Sequence, residues 1–501
     1  MTTDTSIVTF LVKSVRNLRT YGKLAVGILL LALGISSVIY TPSDFLFDLR
    51  LRMVPGTPPY TMWAEPPENL LAKVYIFNVT NSERFLNGSD YDLHLQEIGP
   101  IVYREKFRHS NIRFNENSTL TYTITRRLHY LPELNTIDIN DTIIAPNLAM
   151  LVMTSYFSDS SYFTRTAIKV LLYKHESEPF VKMSIYDFLH NASSALLEDA
   201  RLFNGKLVPS TNVGVLNQMY LKNSYNVTVA IGPKYGNKDF FTIQNVDGVN
   251  SLPGFNRCKP PFSRTSETTL FPQFLTKSDK INAWKAVLCK AVDGVYASDV
   301  SRYGLHGYRF EVPLNVFNRT EPKYEDCYKG DPPLPNGLAD LSACYHGYPF
   351  AASFPHFMSA DPLVSNRLKG LKPDIDKHLT YLNVEKLSGV PLGGRAIFQI
   401  NLIFRDMSSF GSKLGRFTNM NLPFAYVGYE IEGLPVHVRV VLYIMTILVP
   451  NTQLFMSIAF FVFAFTLFYY YCKQWNKPGI TNRTFPIDHK KCKEEESFIK
   501  I

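Results

Sequence analysis

The chain has 501 residues, of which 46% are hydrophobic and 14% aromatic, enough for one large core or for two to three ordinary ones. Only 19% are charged, and the formal net charge of +9 is concentrated at the two ends of the chain. Residues 1–23 carry four basic side chains against one acid, and residues 473–501 carry seven against four. A basic excess beside apolar segments indicates membrane orientation and argues against a nucleic-acid-binding protein.

The first apolar segment, residues 24–40, contains no charged residue and is long enough for one membrane crossing. A cleaved signal peptide is the alternative, with Ala32-Leu33-Gly34 as a small-residue cleavage site. The long basic leader and a second apolar segment at the far end favour a retained anchor. Residues 1–23 are then a cytosolic tail.

The stretch that follows predicts a mixed α+β domain. Residues 41–62 alternate apolar and charged side chains and predict a membrane-proximal helix. Strand-like runs are rich in β-branched and aromatic residues, and residues 97–105 supply a Gly-Pro turn and another strand. The predicted strands are 73–80, 97–105, 120–130 and 396–406, the last buried on both faces. Apolar residues recur at helical spacing between about 146 and 202, which predicts a helical insertion.

Glycosylation sequons and cysteines indicate that this domain, residues 41–449, lies outside the cytosol. Seven Asn-x-Ser/Thr sequons fall within it, at Asn78, Asn87, Asn117, Asn140, Asn191, Asn226 and Asn318. Four of the six cysteines, Cys258, Cys289, Cys327 and Cys344, also lie in it, and an even set on the oxidising side predicts two disulfides. Three pairings of four cysteines are possible.

The second apolar segment, residues 440–472, has no charge but is too long for one crossing. Its 33 residues would reach about 50 Å as a helix, against about 30 Å of hydrocarbon. We therefore predict a span at 454–472, a hinge at 450–453, and a stretch at 440–449 that lies against the outer membrane face. The alternative is one long tilted helix kinked at Pro450.

Residues 473–501 form the second predicted cytosolic tail. Cys472, at the inner membrane edge, is a candidate for palmitoylation, and a free inert thiol is the alternative. Residues 494–499 weakly resemble an acidic dileucine sorting signal.

Enzyme chemistry has no positive support in the sequence. Serine-hydrolase elbows, zinc-protease helices, phosphate-binding loops and Cys-x-x-Cys pairs are all absent. His346 and His356 come closest to a histidine cluster, and structural histidines are the better interpretation because no acidic ligand pair stands beside them. No cofactor or metal is expected.

Several motifs in chain order resemble the class B scavenger receptor family. They are AKVYIFNVTN at 72–81, EIGP at 97–100, YRE at 103–105, SFPHFMSADP at 353–362 and SGVPL at 388–392. One departure is Thr265-Ser266-Glu267-Thr268, where the family usually has Gly-Thr-Asp-Gly, so we expect a reshaped turn without the glycines that permit positive φ. A third family disulfide has no counterpart.

The resemblance implies a large antiparallel β-barrel-like ectodomain with a helical-bundle apex and an internal hydrophobic tunnel, anchored by two transmembrane helices. The helical insertion would be the apex. The family pairing of cysteines would join Cys258 to Cys327 and Cys289 to Cys344. The implied partners are fatty acids, sterols, phospholipids or lipoprotein particles at a membrane, and no nucleic acid.

Four basic residues of the apex insertion are candidate contacts for anionic ligands: Arg165, Lys169, Lys174 and Lys182. A solvated helix face is the alternative, because Glu176 and Glu178 are adjacent. The leading hypothesis is a non-enzymatic receptor that passes lipid through the tunnel toward the membrane. A trafficking receptor for protein cargo is the alternative, and a two-span ion channel is less favoured because 454–472 is crowded with aromatic residues. Plasma membrane is expected, with endolysosomal membrane as the alternative.

Overall fold

The computed structural model of the protein describes residues 4–203, 205, 208–252, 260–318, 325–328, 330 and 332–475. The chain divides into two compact units, residues 1–47 with 444–501, and residues 48–443. We call the first the helical pair and the second the β domain. Cys258 and the tail motif at 494–499 lie outside the described residues.

The helices are α1 Asp4–Ile39, α2 Pro42–Leu51, α3 Pro58–Ala64, α4 Ser82–Asn87, α5 Leu148–Tyr156, α6 Tyr162–Lys174, α7 Ala195–Phe203, α8 Val215–Met219, α9 Glu325–Tyr328, α10 Ile375–His378, α11 Ser412–Gly415, α12 Val436–Tyr443 and α13 Val449–Trp475. The strands are β1 Leu70–Val79, β2 Leu93–Asn115, β3 Thr119–Tyr130, β4 Thr142–Pro146, β5 Phe180–Ser184, β6 Ser224–Ala230, β7 Ile243–Val246, β8 Thr265–Ser266, β9 Ile281–Lys285, β10 Lys290–Arg302, β11 Leu305–Glu311, β12 Ala339–Asp340, β13 Phe350–Ser353, β14 Leu368–Lys369, β15 Tyr381–Glu385, β16 Pro391–Ile403 and β17 Asn421–Ile431.

The helical pair packs α1 against α13 in antiparallel orientation. Lys23 Nζ donates to Gln474 Oε1 at 3.2 Å near one end, and the hydroxyls of Ser37 and Ser457 lie 2.7 Å apart toward the other. In α1, a Cβ on Gly34 would come within 3.1 Å of the Phe461 ring, so the absence of a side chain is what admits that ring. Small residues that let helices approach closely are typical of membrane interfaces.

Both terminal segments are long and apolar enough to cross a membrane, Arg19–Ile39 and Val436–Gln474. The span predicted at 454–472 falls within the second segment, and the span predicted at 24–40 overlaps the first in all but its last residue, Tyr40. The predicted hinge at 450–453 is wrong, because α13 begins at Val449 and continues through Pro450.

The irregular turn of this helix lies before Pro450 and not after it. Ile444–Leu448 is a π-helical turn between α12 and α13. A proline ring collides with the carbonyl four residues earlier, and a widened turn at that position makes room for it. Thr452 Oγ1 donates to the Leu448 carbonyl at 2.7 Å, which adds a side-chain bond to the same turn.

The β domain is built on one large mixed sheet that nearly closes on itself. Among the described residues fifteen strands belong to it, in the order β7-β6-β3-β2-β1-β17-β16-β15-β11-β10-β9-β8, with β12, β13 and β14 attached at the side. Its pairs are antiparallel except β14 with β2 and β8 with β9. A bridge between Thr242, next to β7, and Ser266 in β8 joins the two ends of this order. The predicted barrel-like sheet is confirmed.

Three local predictions need correction. Gly99 and Pro100 do not turn the chain, because β2 runs through them for 23 residues and a register shift beside Ile76 of β1 absorbs the irregularity. Residues 41–62 form two short helices, α2 and α3, instead of one. The insertion at 146–202 contains a strand, β5, which pairs with β4 in antiparallel orientation.

Residues 265–268, which differ from the family's usual motif, include a backbone conformation that glycine would favour. Thr268 has φ +84°, a left-handed conformation that is costly for a β-branched residue. Thr268 therefore takes a conformation that glycine adopts without strain, and the expected reshaping of this turn stays a prediction.

Candidate functional site

The helical insertion is fixed to the barrel by a fully buried helix. Every residue of α5 from Leu148 to Ser155 is buried, so this helix is apolar all round and forms the inner layer of the apex. Asn147 caps its first turn by accepting from the Met150 N–H at 3.2 Å. Ser155 Oγ donates to the carbonyl of Ile403 at 2.7 Å, which ties the helix to β16.

A large apolar cavity lies within this apex. Its volume is about 1010 Å³, at the top of the range for small-molecule sites. Its walls come from α5, α6, α7 and α8 and from the chain near 345–350. The buried lining residues are apolar and include Leu148, Ala149, Val152, Met153, Leu197, Val208, Val215 and Met219.

The cavity opens to solvent between α6 and α7. Val170 and Leu202 line it and are 64% and 85% exposed, although both are aliphatic. The outward side of α6 continues this apolar surface with Phe163 and Tyr173, which are 83% and 87% exposed. Exposed apolar groups around a cavity mouth mark a binding surface.

One charged cluster stands at this mouth. Lys174 Nζ and His175 Nε2 lie 2.5 and 2.8 Å from the same oxygen of Asp199, and Lys174 and Asp199 both line the cavity. The hydrogen bonds from Lys174 and His175 lower the pKa of Asp199 below its usual value. The cation at the mouth, Lys174, is therefore already paired with a carboxylate, Asp199.

The four predicted basic contacts do not form one patch. Lys174 alone lines the cavity. Arg165 donates to the carbonyls of Ser158 and Ser160, so it holds the loop before α6. Lys169 is an exposed residue of α6, and Lys182 is exposed on β5, in the two-stranded β4–β5 sheet.

A second polar cluster lies inside the barrel, and the sequence analysis did not predict it. Arg126 on β3 contacts Glu105 on β2 through Nε at 2.7 Å and Nη2 at 2.5 Å, and both side chains are buried. Tyr220 donates its hydroxyl to the same carboxylate oxygen at 2.8 Å. The charge of Arg126 holds the pKa of Glu105 low against the opposing effect of burial. Lys285 on β9 stacks over the ring of Tyr429 on β17 at 4.1 Å. We call these five residues the barrel cluster.

The histidines have structural partners. His356 Nε2 lies 2.6 Å from Glu97 Oε2, its Nδ1 accepts from the Lys372 N–H at 3.1 Å, and its ring stacks on His378. His346 lies at the cavity wall instead. In the part of the chain that the structure describes, no three His, Cys, Asp or Glu residues are placed to hold a metal ion.

The predicted modification sites differ in accessibility. Asn87, Asn117, Asn140, Asn191 and Asn226 are exposed, whereas Asn318 is half-buried. Asn78 is also half-buried, and its side-chain oxygen accepts from the Ile144 N–H at 2.8 Å. Cys472 is exposed and free in the last turns of α13.

Of the predicted disulfides, the structure contains Cys289–Cys344, the pair that the family resemblance implied. Cys327 is buried and disulfide-bonded, while its implied partner Cys258 falls in the gap at 253–259.

Two long apolar helices, a large nearly closed sheet formed by the intervening sequence, and a helical apex with an apolar cavity define an integral membrane protein of the scavenger-receptor type. The family model for the CD36 family matches residues 25–473, and the chain belongs to that family.

Named relatives agree with this assignment. Lysosome membrane protein 2 of Rattus norvegicus is 25% identical over 404 residues, covering 79% of this chain and 82% of that protein. The human protein of the same name is 24% identical over 402 residues, with the same shares covered. Scavenger receptor class B member 1 of Cricetulus griseus is 26% identical over 420 residues, covering 81% of this chain and 79% of that protein.

Proposed function

We propose that this protein is a non-enzymatic receptor that takes up lipid at its apex and passes it through the interior of the β domain toward the membrane. The observation that carries the proposal is the apolar cavity of about 1010 Å³ that opens between α6 and α7. Its wall is mostly apolar, so a fatty acid, a sterol or a phospholipid chain would gain about 25 cal/mol for each Å² of apolar surface removed from water.

The exposed side of α6 supports docking of a lipid surface or particle at the same place. Phe163, Val170 and Tyr173 project outward beside the mouth, and Leu202 of α7 stands opposite. Aromatic and aliphatic groups of this kind insert into a lipid interface at low cost. Lipid leaving a docked particle would then meet the cavity directly. Movement would follow the gradient of lipid concentration and affinity.

The proposed topology places both chain ends in the cytosol. The contact between Lys23 and Gln474 brings these two residues together at one end of the helical pair. In the sequence, residues 1–23 and 473–501 each carry a basic excess. Cytosolic flanks are the basic ones in membrane proteins. We propose the plasma membrane as the main location, with the endolysosomal membrane as the alternative because some relatives are named lysosome membrane proteins.

A protein-cargo receptor is the second candidate, and the exposed rings of Phe163 and Tyr173 favour it. Large exposed aromatics are typical anchors of protein interfaces as well as of lipid contacts. In that case the cavity would be incidental and the rings would carry the binding.

The experiment that separates these functions measures lipid uptake and cavity occupancy together. Cells expressing the wild type should take up a fluorescent fatty acid or sterol faster than control cells. Mass spectrometry should find lipid with the purified protein. Replacing Ala149, a buried wall residue, by Trp should fill part of the cavity and reduce both readouts. Glu176→Trp, an exposed position after α6, is the matched control.

Two results decide between the candidates. The lipid proposal is refuted if cells expressing the wild type take up lipid no faster than control cells and the purified wild type carries no lipid. If Phe163→Ser then abolished binding of a soluble protein while Ala149→Trp left it intact, the cargo receptor would stand instead.

A further inference from the structure

Two buried histidines of the β domain lie face to face beside Glu97. His356 and His378 are each only 4% exposed, and their rings stack with centroids 4.8 Å apart. Glu97 Oε2 lies 2.6 Å from His356 Nε2 and accepts from the Tyr426 hydroxyl at 2.9 Å. Glu97 and His356 each belong to a motif that carries the family resemblance. The proposed lipid function uses neither ring.

Both rings hold one short stretch of backbone, residues 371–374, which connects β14 to α10 and which we call the strap. His356 Nδ1 accepts from the Lys372 N–H at 3.1 Å. His378 Nδ1 accepts from the Asp374 N–H, also at 3.1 Å. Lys372 and Pro373 are exposed to solvent. The strap is therefore a surface segment that two imidazole nitrogens tie to the domain.

This use of Nδ1 conflicts with a positive charge on either ring. A ring nitrogen that accepts from a backbone N–H carries no proton of its own, so each neutral ring has its proton on Nε2. A second proton would sit on Nδ1, directly opposite the N–H of Lys372 or Asp374. Two donors would then face each other, and the hydrogen bond would be lost. Protonation of a ring and attachment of the strap at that ring exclude each other.

The acidic and phenolic groups around the rings do not titrate near pH 5. For Asp374 of the strap and Glu97 of β2, desolvation raises the pKa, but hydrogen bonds outweigh it and hold the pKa of each carboxyl below its usual value. Burial and the charge of Glu97 raise the pKa of Tyr75 on β1 and of Tyr426 on β17, so both phenols stay neutral. The other charged side chains of the strap and α10 are exposed: Lys372, Asp376 and Lys377.

His378 resists protonation while the strap is bound. Burial lowers its pKa to about 4, and the neighbouring His356 adds to this effect. Glu97 and Asp374 act in the opposite direction, and Arg395 of β16 lowers the pKa further. A histidine released to water has a pKa of about 6.5, so the released state binds the proton more tightly. Attachment of the strap is therefore strongest above about pH 6.5 and weakens as the pH falls toward 4.

We propose that the strap is an acid-released segment, which is bound at neutral pH and detaches as the pH falls toward 5, when His356 or His378 takes up a second proton at Nδ1. This property goes beyond the proposed lipid function and does not depend on it. Detachment uncovers the stacked rings, so the β domain presents one surface beside Glu97 at neutral pH and another in an acidic compartment.

Hydrogen exchange at the amides of Lys372 and Asp374 tests the proposal, because these are the N–H groups that the histidines hold. Exchange is measured on the purified full chain in nanodiscs at pH 7.5 and pH 5.0 and is expressed as a protection factor, which removes the intrinsic pH dependence. With a pKa of about 4 for bound His378 and about 6.5 for the released ring, protection of the Asp374 amide should fall about thirtyfold. The Ile397 amide, bonded to the Thr380 hydroxyl at 2.9 Å, is the internal reference and should stay protected.

Asparagine variants assign the effect to the rings. His378→Asn keeps an acceptor oxygen near the position of Nδ1 and cannot take up a proton, so the Asp374 amide should be equally protected at both pH values. His356→Asn should do the same for the Lys372 amide. His129→Asn, at an exposed position of β3, is the matched control and should lose strap protection in acid as the wild type does.

Three results would overturn the proposal. The first is unchanged protection of both strap amides in the wild type between pH 7.5 and pH 5.0, a result that needs no variant to fold. The second is an equal loss of protection at Ile397, which would show that the whole sheet loosens in acid. The third is a full acid-induced loss at the Asp374 amide in His378→Asn, because the titrating group would then lie elsewhere.

Discussion

Protonation of Glu267 should make the β domain more stable in acid. The side chain is only 7% exposed and follows β8, and burial raises its pKa from 4.5 to about 7. The hydroxyl bond from Thr269 and the charge of Lys285 oppose this rise without cancelling it. Because the folded-state pKa lies above the unfolded one, the folded protein binds this proton more tightly. The stabilisation is complete below about pH 4.5 and is lost as the pH rises through about 7.

The magnitude follows from the two pKa values. The difference between about 7 and 4.5, at 1.36 kcal/mol per pH unit, gives about 3 kcal/mol between pH 4.5 and pH 7.5. For a domain of this size, an unfolding entropy of about 2.1 cal/mol/K per residue converts that into about 4 °C in Tm. Glu267→Gln keeps the shape but cannot ionise. The variant should match the wild type at pH 4.5 and melt about 4 °C higher at pH 7.5.

Thermal unfolding of the purified full chain across this pH range provides the assay, and the quantity of interest is the Tm of the variant minus that of the wild type. Other titrating groups affect both proteins alike and cancel in this difference. Glu198→Gln, at an exposed carboxylate of α7, is the matched control. A Tm difference that stays constant with pH, or that grows toward acid, would refute the reasoning.

Three further expectations concern the backbone, the helical pair and glycosylation. Thr268→Gly should raise the unfolding free energy by about 1 kcal/mol by relieving the φ of +84°, measured as a higher Tm; a lower Tm would mean that the threonine side chain matters more than the strain. Gly34→Leu should separate α1 from α13 because the Phe461 ring occupies that space, measured as loss of a disulfide engineered between positions 37 and 457; an undiminished crosslink contradicts the packing. Glycopeptide mapping should find Asn87 modified and Asn78 largely unmodified, since only the latter side chain is bonded into the sheet; full occupancy at Asn78 would be the contrary result.

The apolar pattern of the sequence predicts those helices and strands that have the same kind of surroundings, lipid or protein core, along their whole length. The terminal helices, β1, β3 and the helical apex were all foreseen because a span or a buried strand requires only the right periodicity. Pro450 was misjudged because whether a proline breaks a helix depends on the turn before it, and a π-helical turn leaves no mark in the sequence.

The site was less predictable than the fold. Four basic residues within one helical insertion suggested a patch, but Arg165 turns toward two carbonyls and Lys182 lies on a strand. The barrel cluster joins Glu105 to Tyr429 across more than three hundred residues of sequence, because β1 pairs with both β2 and β17 and so brings these two strands close together. A single sequence contains no signal for such a meeting.

The closure of the sheet has a consequence for how the interior is reached. Fourteen of the fifteen strands belong to long hydrogen-bonded ladders or are attached to them. Among the described residues, the two ends of the sheet order, in contrast, are joined only through β8, which is two residues long, and through the bridge from Thr242 to Ser266. Regions with few buried contacts and few protected backbone hydrogen bonds open locally at a lower free energy than the rest of a structure. Parting this bridge uncovers the edge of β8, while the pairing of β8 with β9 and the other ladders stay intact. The seam between β7 and β8 is therefore where we expect local opening of the barrel to begin.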